Sequence, residues 1–449
     1  MAYEIPGVYP KISIDPALLG LPGSNRVMAI IGTGSAYYTR SERVVKASGN
    51  VDDLDNYATS ISSVYDASQS AYTGYVITGG KINWTGASIK PTVGSTYTVV
   101  YQYAKTEADL TVKTLSSLSD AIAEYDYARQ ESDINKRTLS LAAQIAFEAG
   151  ATSLYAIQID PTATDVSATP AQYYTAFSTA LDKLKATDAK VIVPLYTETS
   201  YLQTFMSTKL KEHVALMSGE YYRQYRIGVF GVNETSSVMT PTQAIAVQAA
   251  VTSDRIGMAY PGYVKRIFDF GEITLPGCFL AVAIASINVS ALYDSAEPLT
   301  NKPITSFSFI PTFSLYGTTQ LSGAGIIVIK SLDGSYRITE GTSTDRTYIT
   351  GQELSTWTSI DEVMSGLQIQ LEKAYIGRKF TDNVLLGIKA SSYTILEQYK
   401  FLELITNFQI VSVTRSTENP QKAIVRLKIM PIFATKYVDI FATVTSSIL

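Results

Sequence analysis

The sequence contains few of the residues that bind metals, form disulfides or attract nucleic acids. Its 449 residues include one cysteine, Cys278, and one histidine, His213. One cysteine excludes an internal disulfide, and one cysteine with one histidine cannot make a zinc cluster. The formal net charge is -4, with no long run of lysine or arginine, so nucleic acid is not expected as a partner. We therefore expect no metal and no cofactor, and stability that comes from packing and association.

Long apolar runs and targeting signals are lacking as well. The longest apolar stretch, Cys278 to Leu292, contains Ser286, Asn288 and Ser290. It is too short and too polar to span a bilayer, and it predicts a buried helix. Residues 1–15 lack the basic and then apolar layout of a signal peptide. No membrane partner is expected, and a chain of this length predicts two to four domains.

Motifs that would indicate an enzyme are missing or incomplete. The sequence has no Gly-x-Ser-x-Gly elbow, no phosphate loop and no His-Glu-x-x-His. The turn Gly32-Thr33-Gly34-Ser35 follows a predicted strand. However, Tyr37 occupies the third glycine position of a dinucleotide fingerprint and no helix pattern opens there, which favours a tight turn.

The remaining reactive side chains are expected to have structural roles. His213 lies near the N-terminal end of a predicted strand, where a packing or surface histidine is favoured over a general base. Cys278 lies in an apolar run, which predicts a buried, inert thiol. The pairs Asp52-Asp53 and Asp361-Glu362 are typical of helix starts or loop charges rather than of an acid/base pair. We predict no catalytic residue.

Both ends of the chain contain short segments in which apolar and polar residues alternate. The first segment has the apolar side Val8, Pro10, Ile12 and Ile14, with Tyr9 on the opposite side. Its prolines exclude a central strand, and the break at residues 21–24 leaves residues 1–23 as a detachable arm. A second arm, residues 436–449, has the apolar side Val438, Ile440, Ala442 and Val444.

The middle of the chain predicts an α/β domain with a β-rich insertion. In residues 24–37 and 104–340 helices alternate with strands, which indicates a mostly parallel sheet covered by helices. The first strand, residues 26–32, is expected to be buried on both faces. Residues 38–103 predict short strands with glycine-rich turns, a decoration domain in which an exposed Trp84 packs on its own hairpin. A sugar-binding role around Trp84 is the less favoured interpretation.

Residues 341–435 predict an α+β domain of two helices and a hairpin. The first helix has an apolar face that includes Val363 and Leu367 and ends at Gly377, and the second runs from about Ser392 to Thr406. Residues 409–415 and 423–431 form a predicted hairpin. The side chains expected to accept a donated strand are Ile410, Val411, Val413, Val425, Leu427 and Ile429. Strand addition between subunits would satisfy both the hairpin edges and the chain ends.

Several short segments, in their order along the chain, resemble the contractile phage tail sheath protein family. They are Pro6-Gly7-Val8-Tyr9, residues 296–303 (AEPLTNKP), 321–326 (LSGAGI), 341–344 (GTST) and 376–383 (IGRKFTDN). Residues 82–101 are similar to a hairpin that recurs in phage tail proteins. The matches run from one end of the chain to the other, whereas residues 37–103 belong to the variable decoration.

The resemblance implies a structural subunit without enzymatic activity. It implies hexameric rings stacked helically around a tail tube, with baseplate and tail terminator proteins at the ends, in a virion whose tail is assembled in the host cytoplasm. The arms would complete a sheet in adjacent subunits, and the sheath would contract to drive the tube through the host envelope. Contact with the tube is assigned to Glu372, Lys373, Arg378 and Lys379. The alternatives are an α/β enzyme and a non-contractile tail structural protein.

Overall fold

The computed structural model describes residues 26–106, 109–127, 134, 136–159, 170–195, 209–219, 222–232, 239–290, 297–347, 353–433 and 435. Both predicted arms lie outside the described residues. The chain forms two compact units. The larger comprises described residues 27–290 and 299–354, and the smaller consists mainly of residues 355–435.

A nine-stranded sheet forms the centre of the larger unit. Its strands are β1 (Met28–Gly32), β8 (Lys113–Leu115), β9 (Leu154–Gln158), β10 (Val191–Pro194), β11 (Ile227–Gly231), β12 (Ile256–Tyr260), β15 (Pro303–Ile304), β16 (Ile327–Leu332) and β17 (Ser335–Ile338). Their order is β15-β17-β16-β12-β11-β10-β1-β9-β8. The pairs from β9 to β16 are parallel, and the outer strands pair antiparallel. The sheet is therefore mixed with a parallel centre, and the predicted α/β class is confirmed.

Helices cover both faces of this sheet because its central strands are apolar throughout. They are α1 (Leu118–Tyr125), α2 (Thr138–Glu148), α3 (Pro170–Leu184), α4 (Lys211–Ser218), α5 (Pro241–Ala250), α6 (Cys278–Val289) and α7 (Leu315–Gly323). Every residue of β1 is buried, as predicted. Ala29 and Ile31 pack with Phe177 of α3, whereas Met28 contacts Ser286 of α6 on the other face.

The predicted apolar helix is α6, and all of its residues are buried. It begins next to the end of β11, where Gly231 and Gly277 approach each other so closely that a Cβ atom on either would overlap backbone atoms. Glycine is required at both positions for this approach. Among the described helices, none combines the length and the hydropathy that a membrane span requires. A hairpin of β13 (Tyr263–Phe268) and β14 (Gly271–Pro276) precedes α6.

The predicted insertion contains two small three-stranded sheets. One has the order β2-β7-β4 and the other β3-β6-β5. The strands are β2 (Tyr37–Val45), β3 (Val51–Asp52), β4 (Ser60–Tyr65), β5 (Val76–Thr78), β6 (Lys81–Asn83) and β7 (Thr96–Ala104). Their core contains Trp84, Tyr97, Val99 and Tyr101. The expectation that Trp84 is exposed is wrong, because the indole is 1% exposed.

The smaller unit packs two helices against a hairpin. The elements are α8 (Leu354–Tyr375), α9 (Asp382–Phe401), β18 (Ile405–Arg415) and β19 (Ala423–Pro431). Val363 and Leu367 of α8 pack against Leu396 and Tyr399 of α9 in one apolar cluster. Gly377 has a φ of 85° just after α8, which is the left-handed conformation that ends a helix.

Three further boundary or environment predictions are wrong, each because tertiary packing prevails. The second helix starts at Asp382 rather than Ser392 and ends at Phe401, because Ile388 is buried and Ile405 pairs with Pro431. His213 lies within α4, not in the chain at the N-terminal end of a strand. Neither carboxylate pair is confined to loops or helix starts. Asp52 is a buried strand residue and Asp361 lies in the interior of α8, also buried.

The contact between α8 and α9 generates a prediction about Gly366. A Cβ atom on Gly366 would overlap the Tyr399 hydroxyl, which has no hydrogen-bond partner among the described residues. We expect Gly366→Ala to lower the free energy of unfolding by about 1–3 kcal/mol, because a close-packed contact is overfilled. Tyr399→Phe removes the unpartnered hydroxyl and should be neutral or stabilising.

Urea denaturation of both single variants and of the double variant measures this coupling. We expect the double variant to recover part of the loss, since the ring atom Cζ still lies 2.9 Å from the added methyl position. Strictly additive effects would show that the two residues do not compete for the same space.

Candidate subunit-interaction site

The hairpin of β18 and β19 brings together most of the predicted acceptor side chains. Ile410 lies opposite Leu427, Phe408 opposite Ile429, and Val413 opposite Val425. Phe408, Ile410, Leu427 and Ile429 pack against the apolar cluster of α8 and α9. Val411 does not join them, because it lies at a register irregularity between Ile410 and Ser412 and is 50% exposed.

Within the described part of the chain, neither edge of this hairpin has a neighbouring strand. Among the residues that the structure describes, its sheet contains only β18 and β19. An edge strand presents a row of N–H and C=O groups that a further strand can pair with. The site therefore offers main-chain hydrogen bonds on both sides and an apolar layer beneath.

An open groove of about 610 Å³ lies beside β18. Its residues are Leu386, Lys389, Ala390, Tyr393 and Thr394 of α9 with Phe408, Gln409 and Ile410 of β18. Tyr393 meets Phe408 edge to face at 5.4 Å between ring centroids. Leu386 is 65% exposed and Tyr393 is 55% exposed, so α9 presents apolar side chains to solvent next to the open edge. Sequence reasoning missed this feature, because the predicted second helix began after Leu386.

The four residues predicted to face a tube lie together at one end of the smaller unit. Glu372 and Lys373 are in the last turn of α8, and Arg378 and Lys379 are in the turn that follows. All four side chains are exposed. The Arg378 guanidinium lies 5.5 Å from the centroid of the Tyr375 ring.

The turn Gly32-Thr33-Gly34-Ser35 is filled by side chains of the protein itself. The Thr33 N–H donates to Thr138 Oγ1 at 2.8 Å, and the Leu139 N–H donates to the Thr33 carbonyl at 3.0 Å. A Cβ atom on Gly34 would lie 2.7 Å from the Tyr125 ring. The start of α2 is therefore occupied by Thr33, where a nucleotide-binding fold would bind phosphate.

His213 is buried against the charged group of Arg226. The distance between Arg226 Nη1 and His213 Nε2 is 2.7 Å. Burial lowers the pKa of His213 to about 3, and the positive charge of Arg226 contributes to this change. The imidazole is neutral at physiological pH and its Nε2 accepts from Arg226. Cys278 is also buried, and no cluster of metal-binding side chains occurs in the described parts of the chain.

Lys105 has the perturbed titration that often indicates a reactive lysine, and sequence reasoning missed it. Its Nζ donates to the Glu124 carbonyl at 2.5 Å and to Gln158 Oε1 at 2.8 Å. Burial is the main cause that lowers its pKa to about 8, although the Glu124 carboxylate opposes this change. The side chain is 1% exposed, so Lys105 anchors the base of the insertion rather than meeting a substrate.

The Lys105 environment predicts a pH dependence of stability. Because the folded pKa of about 8 lies below the usual lysine value of 10.5, the unfolded chain binds more protons between these values, and stability rises with pH. We expect the free energy of unfolding to increase by roughly 1–2 kcal/mol between pH 8 and about 9.5.

Lys105→Met should remove this increase, which urea titrations at several pH values would measure. Lys113→Met is the matched control, because Lys113 also lies near Glu124, at 3.5 Å, but is partly exposed. An unchanged slope in Lys105→Met would contradict the assignment.

The insertion core depends on one buried carboxylate. Asp52 Oδ2 accepts from Trp84 Nε1 at 2.9 Å and from the Tyr97 hydroxyl at 2.6 Å. Asp52 Oδ1 accepts from Lys46 Nζ at 3.2 Å and from the Ala47 N–H at 2.8 Å. Burial acts to raise the pKa of Asp52, but the hydrogen bonds from these four residues outweigh it and leave the pKa below its usual value. Trp84 therefore has a structural role.

Asp52→Asn should unfold or loosen the insertion. Removing one partner of a buried ion pair costs about 3–5 kcal/mol, and Lys46 would keep an unpaired charge. Since the folded pKa is lowered, the stabilisation is complete at neutral pH and is lost as the pH falls below 3.8. Trp84 fluorescence in a Trp357→Phe background reports the loss, and Asp53→Asn, whose ion pair with Lys81 is exposed, should leave it unchanged.

Comparison with known proteins shows which of them share this fold. No family model matches the sequence, and no curated protein matches it. Among solved structures, the chain is similar to one from the helical sheath of the anti-feeding prophage in its contracted state, with a TM-score of 0.58 and 12% identity over 98% of this chain and 99% of that one.

Two further structures extend the likeness. A chain of the 6-fold symmetrised baseplate of the anti-feeding prophage has a TM-score of 0.59 and 10% identity, again over 98% and 99% of the two chains. A chain of the PVC sheath complex, an extracellular contractile injection system in its contracted state, has a TM-score of 0.52 and 12% identity over 74% of this chain and 86% of that one. The chain therefore has the fold of the sheath proteins of contractile systems, which confirms at the level of the fold the resemblance found in the sequence.

Proposed function

We propose that this chain is the structural subunit of the sheath of a contractile tail, and that it polymerises around a tail tube. The observation that carries the proposal is the likeness to a contracted sheath over 98% of this chain and 99% of the other. An alignment of nearly full length covers both compact units, whereas a shared α/β core alone would leave the smaller unit unmatched. The tail of a bacteriophage virion, assembled in the host cytoplasm, is the location that the sequence resemblance favours.

Polymerisation proceeds in this proposal by the exchange of terminal strands. The donors are residues 1–23, through Val8, Tyr9, Ile12 and Ile14, and residues 436–449, through Val438, Ile440, Ala442 and Val444. The acceptor is the hairpin of β18 and β19, whose two open edges suit two added strands. The groove beside β18 offers space for apolar side chains of a strand added there.

Linkage through several weak strands suits an assembly that must hold together while it changes shape. Each added backbone hydrogen bond contributes roughly 0.5–1.5 kcal/mol net, and ordering each residue costs roughly 1–2 kcal/mol. One arm is therefore only modestly stabilising. Two donated and two accepted strands per subunit make each further link effectively intramolecular, and the lattice persists.

Contraction is proposed to move the rigid α/β bodies about these links and to bury new surface between them. The subunits would form hexameric rings stacked helically, with the tube inside and baseplate and terminator proteins at the ends. Contact with the tube falls to the domain of residues 341–435, at Glu372, Lys373, Arg378 and Lys379. Residues 24–37 and 104–340 would form the rigid body, and residues 38–103 its decoration.

Deletion of residues 1–15 tests the proposal. We expect the shortened chain to remain folded, with an unchanged far-ultraviolet circular dichroism spectrum, but to stay monomeric because half of its links are missing. The full-length chain should form hollow striated cylinders in negative-stain electron micrographs. Full-length sheaths from the shortened chain would refute strand donation by this segment, and tubes too narrow to enclose another tube would favour a non-contractile tail protein.

A further inference from the structure

The three prolines near the N-terminus would share one side if their segment is an extended strand, as the sequence predicts. Pro6, Pro10 and Pro16 are all even-numbered. In a β-strand alternate residues direct their N–H and C=O groups to the same edge, and their side chains to the same face. The even-numbered set of residues 6–16 therefore lacks three N–H donors, whereas the odd-numbered set is complete. The segment is able to bond fully along one edge only.

The same even-numbered set carries the apolar side chains, Val8, Ile12 and Ile14. The odd-numbered set from Tyr9 to Asp15 contains Lys11 and Ser13. Any pairing that buries the apolar residues against α8 and α9 must therefore turn the proline-containing set towards the apolar layer. Which backbone groups then meet the acceptor depends on the direction of the added strand.

The acceptor hairpin has a matching alternation. The Ser416 N–H donates to the Lys422 carbonyl at 2.8 Å, which makes the pair at the turn a hydrogen-bonded one. Hydrogen-bonded and non-hydrogen-bonded pairs alternate along the register, so the residues of β19 that bond to β18 are Ile424, Arg426 and Lys428. The outward groups belong to the residues between them, Val425, Leu427 and Ile429. All three side chains are half-buried, and Leu427 and Ile429 pack against the apolar cluster of α8 and α9.

Strand β18 follows the same rule. Its outward backbone groups belong to Phe408, Ile410 and Val413, which lie opposite Ile429, Leu427 and Val425. Phe408 and Ile410 face the same apolar cluster as their partners. At both edges, the residues with outward backbone groups therefore include the ones that pack against the helices, Phe408 and Ile410 on β18 and Leu427 and Ile429 on β19.

The two possible directions of an added strand now have different consequences. In antiparallel pairing, residues that bond to each other lie directly opposite and direct their side chains to the same face. The residues that bond to the hairpin would then be the even-numbered ones. Because Pro10 has no N–H, one carbonyl of the hairpin would remain unpaired. In parallel pairing, a hairpin residue bonds to the two residues on either side of the one directly opposite it. The bonding residues of the added strand therefore direct their side chains away from the face that the hairpin residue shares with the helices. Tyr9, Lys11 and Ser13 would then bond, while Val8, Ile12 and Ile14 face the helices.

We infer that the N-terminal segment of a second copy adds to the hairpin parallel to the strand it joins, with its odd-numbered residues forming the hydrogen bonds. The inference rests on the proposed strand donation and adds its direction and its bonding residues. Since both edges have the same alternation, the direction relative to the accepting strand does not depend on which edge is used.

Proline and alanine substitutions in the full-length chain test the assignment. Ser13→Pro removes a bonding N–H, and we expect it to raise the concentration needed for assembly roughly tenfold above that of Ser13→Ala. Ile12→Pro removes an N–H that faces solvent and should assemble within about twofold of Ile12→Ala. Sedimentation across a concentration series, with electron microscopy of the pellets, measures all four.

The outcomes separate the inference from the function on which it rests. If Ile12→Pro is impaired relative to Ile12→Ala while Ser13→Pro equals Ser13→Ala, the segment bonds through its even-numbered residues and the parallel direction is overturned. If all four variants assemble like the unaltered chain, the segment is not donated, and the proposed strand exchange fails with it.

Synthetic peptides provide a measurement that does not require the variants to fold. A peptide of residues 4–16 should inhibit assembly of the full-length chain by occupying the hairpin edge. N-methylation at Ser13 removes one N–H without changing the side chain and should abolish most of the inhibition, whereas N-methylation at Ile12 should preserve it. The opposite ranking of the two peptides would overturn the inference.

Discussion

Backbone hydrogen bonding at the edges of a two-stranded sheet is the constraint on which the rest of this molecule depends. A hairpin such as β18 and β19 is marginal alone, and it gains from α8 and α9 an apolar layer beneath one face. Its outer N–H and C=O groups still require hydrogen-bond partners, and another strand can pair with them along the whole edge. In the proposed polymer, other copies of the chain would supply those partners.

In the larger unit, two buried charged side chains are hydrogen-bonded by neighbouring groups of the protein itself. Lys105 is held by Glu124 and Gln158, and the carboxylate of Asp52 accepts four hydrogen bonds within the insertion. Such saturated buried networks rigidify the structure around them. In the proposed polymer, a rigid body attached through hydrogen-bonded strands would suit a lattice in which subunits must move without unfolding.

The sites that resemble enzyme chemistry are enclosed by neighbouring groups of the protein itself. Thr33 occupies the start of α2, Arg226 binds the only histidine of the sequence, and Lys105 is enclosed, which lowers its pKa to about 8. A helix start after a glycine-containing turn, or a buried histidine or lysine with a lowered pKa, is the kind of feature that often marks an active site. In each case neighbouring side chains fill the space next to the group, and the group contributes to packing.

Periodicity and composition determined the α/β class, the buried first strand, the apolar helix α6 and the hairpin of residues 405–431, because these features follow from local patterns of apolar residues. The alternation of the chain ends and the spacing of the prolines are likewise properties of the sequence itself. Tertiary structure alone decided that α9 begins at Asp382, that Val411 leaves the acceptor face, and that Trp84, Asp52 and Lys105 are buried. These depend on contacts between residues far apart in the chain, whose energies no local pattern contains.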